Sequence, residues 1–188
     1  IRAHYPTAAG FRTDEEGTLS LDGRYGCFMV QEEYNGSTFP YLGLICLDLI
    51  AGTVVGVYPG GVQPNHTSMS PCGNYCVPSW YSTGGPDNNG GAYAFSRDFT
   101  THRRVSVVLG EHADNMMGMD GDCWHVSVEF GGATRLPGTT PGGFVYATNM
   151  RTGEVKQFYS VFSDLVAAGI HMSGQATDKP GYVVISHY

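Results

Sequence analysis

The chain has 188 residues, 41% of them apolar and only 14% charged, with a net charge of −7. That length suits one domain with a buried core, and the acidic balance argues against nucleic acid or an anionic membrane as partner, because both call for a basic footprint. No apolar run approaches the ~18 residues needed to cross a bilayer, so no membrane insertion is expected.

The first strong signal along the chain is Thr18-Leu-Ser-Leu-Asp-Gly-Arg-Tyr25, a short apolar strand, a tight turn carrying Gly, and an aromatic that opens a second strand. Tyr25 to Gln31 reads as that second strand, Glu33 to Tyr41 as a polar loop, Gly43 to Asp48 as a third strand and Thr53 to Tyr58 as a fourth. Ile50-Ala-Gly-Thr fits the hairpin between the last two, where Gly supplies the positive φ of the turn.

The same order returns from Ser68-Met-Ser-Pro-Cys-Gly-Asn-Tyr75, with strands predicted at Tyr75 to Trp80, Ala92 to Ser96 and Arg104 to Leu109. It returns again from Met116-Met-Gly-Met-Asp-Gly-Asp-Cys123, with strands at Trp124 to Phe130, Phe144 to Thr148 and Glu154 to Tyr159. Arg151-Thr-Gly-Glu fills the slot of Ile50-Ala-Gly-Thr. A fourth unit starts near Ile170 and contains one more strand, Tyr182 to Ser186. Val161 to Ala168 is read as a short helix or a continued loop.

The turn glycines Gly23, Gly73 and Gly121 stand 50 and 48 residues apart, within the ~40–50 residues of a four-stranded propeller blade. The expected fold is therefore all-β: a β-propeller of four-stranded antiparallel blades at about 12–60, 61–110 and 111–163, with a partial fourth at 169–188. A β-sandwich is the rival architecture, since it also uses short strands at regular spacing. Because blades bury their faces against one another, the reading implies a larger ring completed by further segments or subunits. The chain starts with Ile1 and shows no signal peptide, so a processed or partial product is expected.

At Leu19-Ser-Leu-Asp-Gly-Arg-Tyr25 and Met69-Ser-Pro-Cys-Gly-Asn-Tyr75 the chain resembles the propellers with Ser-Pro-Asp-Gly turns, among them the Tol-type and oligogalacturonate-lyase-like groups. Glu111-His-Ala-Asp114 and His171-Met-Ser-Gly174 are similar to the histidine-bearing blade starts of the lyase-like group. The resemblance implies an extracellular or periplasmic protein that binds carbohydrate, with polysaccharide lyase activity by β-elimination as an extension. Cys72 departs from the usual Asp of the turn.

The repeat also aligns chemistry. Seven residues before each turn glycine stand Glu16, His66 and Asp114, and His112 and His171 are nearby in sequence. In a propeller these positions begin the channel-lining strand, so they are candidates for ligand binding or for holding a divalent metal ion; a water-filled polar channel is the plainer reading. For a lyase, His112 and His171 are the candidate bases, and Tyr81 and Arg97 are candidate helpers at the substrate. His125 is read as a structural histidine. Tyr34, Phe39, Tyr41, Trp80 and Tyr81 suit saccharide stacking or packing between blades. A non-catalytic scaffold subunit is the alternative function.

The five cysteines give an odd count, so at least one lies outside any intrachain bridge. Most sit in apolar strand patterns and read as small buried hydrophobes; Cys27–Cys46 is one candidate disulfide. The Asn35-Gly-Ser and Asn65-His-Thr triplets are glycosylation acceptors by pattern and point only weakly to secretion.

Overall fold

A computed structural model of the chain describes residues 1–13, 18–33, 40–80, 83–106, 114–128, 145–158, 172–176 and 179–187. Every regular element among them is a β-strand, and every strand pairing is antiparallel. Sheet 1 holds β1 (Phe11–Thr13), β2 (Thr18–Leu19), β3 (Tyr25–Glu32), β4 (Tyr41–Asp48) and β5 (Thr53–Pro59), with β1 and β2 sharing the innermost edge against β3. Sheet 2 runs β6 (His66–Met69), β7 (Tyr75–Trp80), β8 (Gly91–Ser96) and β9 (His102–Arg104). Sheet 3 runs β10 (Asp114–Met117), β11 (Cys123–Val128), β12 (Val145–Asn149) and β13 (Val155–Phe158). A hairpin of β14 (Met172–Ala176) and β15 (Val183–His187) follows.

Each four-stranded sheet has its strands in sequence order, so every connection is to a neighbour. The innermost strands of successive sheets lie side by side: β2 with β6, β6 with β10, β10 with β14. Thr18 Oγ1 accepts from Met69 N at 2.6 Å, Asn115 Nδ2 donates to Ser68 Oγ at 2.7 Å, and Gly181 N donates to Met117 O at 2.7 Å. This is the arrangement of propeller blades: among the described residues sheet 1 is four strands deep with its inner edge shared by β1 and β2, sheets 2 and 3 are four-stranded, and a fourth is two-stranded.

The turn between the first two strands repeats in detail. Gly23 N bonds Ser20 O, Gly73 N bonds Ser70 O, and Gly121 N bonds Gly118 O. The three glycines have φ of 70°, 71° and 79°, a conformation that costs an L-residue a side-chain clash and glycine nothing. The third turn is one residue shorter. Ser20 and Ser70 bond the carbonyls of Tyr25 and Tyr75, whereas Gly118 bonds that of Asp122. Cys123 is therefore already paired within the sheet, opposite Met117, and does not stand in the tyrosine position that the sequence alignment gives it.

In sheet 2 the last strand comes earlier than expected, at His102–Arg104. Asp98 caps the preceding hairpin, accepting from Ser96 Oγ at 2.6 Å and Thr100 N at 3.1 Å, and Phe99 turns the chain with φ of 57°. That tight turn brings the strand back at once.

Strand alternation assigns each sheet two faces. Between sheets 1 and 2 lie Cys27, Cys46, Met69, Cys76, Trp80, Tyr93 and Phe95, a soft and aromatic seam. Between sheets 2 and 3 lie Val77, Ala92, Ala94, Val105, Cys123 and Met150. Trp80, for which stacking on saccharide and packing between blades were both expected, is 1% exposed; its indole donates to Val62 O at 2.8 Å and its ring meets Tyr93 edge-on. It packs the core and presents no face to a ligand.

Candidate functional site

His66 and Asp114 each open the innermost strand of their sheet, three residues before Met69 and Met117, which pair with the second strand at its start. The two positions thus share one level on neighbouring strands. Glu16, Tyr81, His112 and His171, as well as Tyr34 and Phe39, lie outside the described residues. Among the described residues no group of three or more His, Cys, Asp or Glu is arranged to hold a metal ion.

Sequence reasoning did not anticipate the polar seam behind this row. His125, Asn115 and Thr148 are register partners across three strands of sheet 3. Asn115 donates to Ser68 of sheet 2 through Nδ2, which orients its Oδ1 to accept from His125 Nδ1 at 3.0 Å. Burial in this seam drives the His125 pKa down to about 4. His125 Nε2, Thr148 Oγ1 and Ser79 Oγ are buried with no hydrogen-bond partner among the described residues. His125 is buried, as a structural histidine would be, but with Nε2 unmet it is not the fully satisfied one expected.

Arg97 sits elsewhere. It lies in the β8–β9 turn, beyond the Tyr75–Ser96 pair, whereas His66 belongs to the Ser79–Ala92 end of the same sheet. Hairpin strands alternate in direction, so these two candidates stand at opposite ends of sheet 2 and share no site. Arg97 instead borders a cleft of about 380 Å³ between sheets 1 and 2, lined by Tyr25, Asp48, Val55, Asn74, Ser96, Arg97 and Asp98.

The chemistry of that cleft is set by its turns. The Arg97 guanidinium lies 4.2 Å from the centre of the Tyr25 ring, and Arg24 lies 5.0 Å from the same ring. Arg24 donates twice to Asp48 Oδ2, at 3.0 and 2.9 Å, while Asp48 Oδ1 caps the next turn through Ile50 N and Ala51 N. Those bonds hold the Asp48 carboxyl below the usual range. Asp98 is held at about 2 by Ser96 and Thr100. Arg97 and Asn74 make no hydrogen bond or ion pair among the described residues.

The cysteines differ from the expected pairing. Cys72 and Cys123 form a disulfide that joins the first turn of sheet 2 to the opening of β11. Cys27 and Cys46 are free and buried, although they face each other across β3 and β4. Cys76 of sheet 2 is buried with them in the same cluster. No spacing rule reveals this, because the third thiol comes from the adjacent sheet.

No protein-family model matches the chain, and no curated protein matches it. Among solved structures it is similar to TolB from Acinetobacter baumannii, with a TM-score of 0.49 and 14% identity over 92% of this chain and 39% of that one. It is also similar to an oligogalacturonate lyase in complex with manganese, with a TM-score of 0.46 and 14% identity over 80% of this chain and 42% of that one. Kuenenia stuttgartiensis hydrazine synthase gives a TM-score of 0.44 and 10% identity, over 96% of this chain and 57% of that one. The chain thus spans about two fifths of the length of the first two structures.

Proposed function

We propose that the cleft between sheets 1 and 2 binds an acidic saccharide, making this chain a carbohydrate-recognising propeller segment. The observation that carries the reading is Arg97. Its guanidinium lies over the Tyr25 ring, and its forked donors are uncommitted among the described residues. Such a fork recognises a carboxylate in two-point fashion. Asn74 offers an amide to sugar hydroxyls, and Asp48 and Asp98 supply acceptors on the rim. An oxidising, extracytoplasmic compartment suits the Cys72–Cys123 disulfide.

Titration calorimetry with uronic-acid and matched neutral oligosaccharides tests this. Binding of the acidic series alone, lost in Arg97→Ala, supports it. Equal affinity for both series, or full affinity in Arg97→Ala, removes it. A lyase reading is separate from this cleft, because its candidate bases His112 and His171 lie outside the described residues; an unsaturated product seen by ultraviolet absorbance with uronic-acid polymers would support it.

A second reading, an assembly subunit, is favoured by one observation. Leu21, Leu49 and Ile50 are exposed together where the turns of sheet 1 meet, linked by the Leu49 N bond to Arg24 O. A monomer by light scattering at high concentration would count against that reading.

A further inference from the structure

Successive turns at one end of the propeller differ in how they are fastened to each other. The first turn joins the second through Leu21 N, which donates to Pro71 O at 2.9 Å. The second joins sheet 3 through the Cys72–Cys123 disulfide. The third joins the turn between β14 and β15, where Gly181 N donates to Met117 O at 2.7 Å and the Met119 side chain lies against Gly181. A Cβ at Gly181 would fall 2.7 Å from Met119 Cγ and 3.2 Å from its Sδ, and Gly181 has a φ of 82°. Glycine is thus required here twice, by the backbone angle and by the thioether beside it. That same thioether is open to solvent. Met119 is 87% exposed, whereas Met29, Met69 and Met150 are each 2% exposed, and Met116 and Met117 are half-buried. Met119 therefore combines an accessible sulfur with a contact that joins two blades.

We propose that Met119 is an oxidation site, at which a hydroperoxide converts the thioether to a sulfoxide and loosens the join between the third turn and the β14–β15 turn. A lone pair of Met119 Sδ attacks the terminal oxygen of the hydroperoxide. The O–O bond breaks and an S–O bond forms. The proton of the transferred hydroxyl passes to the departing oxygen, which leaves as water or an alcohol. The sulfur loses two electrons and the hydroperoxide gains them. A methionine sulfoxide reductase reverses the change with a dithiol, which becomes a disulfide as the oxygen leaves in water.

Loosening follows from the polarity of the product. The thioether covers the Gly181 backbone as a soft apolar group. The sulfoxide is a polar, chiral group that draws the side chain into water. Its departure opens no core, because Met119 is exposed already. What it uncovers is the Gly181 N–Met117 O bond, which then meets water. Met69 and Met150 pack inside the seams between sheets, so the same oxidant does not reach their sulfurs while the chain is folded.

The test treats the folded chain with graded hydrogen peroxide, maps the methionine peptides by mass and follows amide hydrogen exchange. The expected result is that Met119 gains one oxygen several-fold faster than Met29, Met69 or Met150. Exchange in the peptide bearing Gly181 then accelerates several-fold, while β7 and β8 are unchanged. In Met119→Leu, which keeps an apolar side chain there, the same peroxide dose leaves Gly181 exchange unaltered. Met119 oxidising no faster than the buried methionines overturns the proposal. So does unchanged Gly181 exchange once Met119 is fully oxidised, or equal acceleration in Met119→Leu. The first two measurements use the wild-type chain without saccharide, so they require no variant to fold and are separate from the saccharide reading.

Discussion

His125 Nδ1 lies 3.0 Å from Asn115 Oδ1, inside a seam that leaves the imidazole 2% exposed. Because Asn115 spends its amide N–H on Ser68, its oxygen is the acceptor and His125 is the donor. The neutral ring with the proton on Nδ1 is the form the fold accepts. Protonating Nε2 would place a charge where the seam provides no partner.

Stability should therefore depend on pH in a defined window. His125 titrates near 4 when folded, against 6.5 for the free group. The unfolded chain binds the proton more readily, so this contribution is intact above pH 6.5 and is lost as pH falls towards 4. The loss amounts to about 3 kcal/mol at the bottom of the window. Asp98 and Asp122, both held at about 2, lose their stabilisation only in more acidic solution. Urea unfolding from pH 7 to 4 measures the slope, and His125→Gln should flatten it.

The Cys72–Cys123 bridge closes a segment with a sequence separation of 51. Chain-entropy arguments give about 4 kcal/mol for a loop of that size, and measured values often fall short. The double variant Cys72→Ser/Cys123→Ser should lose about 2–4 kcal/mol in denaturant unfolding.

The turn glycines should not be equivalent to mutation. A Cβ at Gly23 meets nothing within 4 Å, whereas one at Gly73 comes within 3.0 Å of Tyr25 Cδ2 and 3.2 Å of Ser20 Cβ. Gly23→Ala should cost about 1–2 kcal/mol from backbone strain alone. Gly73→Ala should cost more, since it also pushes on the ring beneath Arg97. Thermal melts of the two variants give the comparison.

Trp80→Ala should destabilise the chain by about 3–5 kcal/mol, as expected for a buried indole. Saccharide binding should leave the environment of Trp80 unchanged, because the ring faces Tyr58 and Tyr93. Near-ultraviolet circular dichroism during a titration checks this directly.

The fold was legible because its turns are chemically demanding. Only glycine meets the φ of 70° at Gly23 cheaply, so the requirement shows as a repeated letter. Ser20, Asp48 and Asn149, which cap turns, are equally visible to a reader of local pattern. The shorter third turn was not legible, because the glycine spacing hides a one-residue change that falls after the glycine. Nor were contacts between sheets: Ser68 meets Asn115, and Thr18 meets Met69, at separations that no local pattern encodes. The Arg97 cleft belongs to the same class. It joins Tyr25 from one repeat to a turn of the next, and the alignment of repeats, which compares like with like, does not register such diagonal neighbours.

The two seams differ in a way that orders how the molecule comes apart. Sheets 1 and 2 meet through aromatic rings and the free thiols of Cys27, Cys46 and Cys76, with no covalent tie between them. Sheets 2 and 3 meet through smaller side chains and a partly unmet polar row, and there the disulfide spans the join. The covalent strap thus reinforces the boundary that water would enter most readily. In a reducing solution, hydrogen exchange should accelerate first in β10 and β11, and the pair formed by sheets 1 and 2 should persist as the last folded remnant.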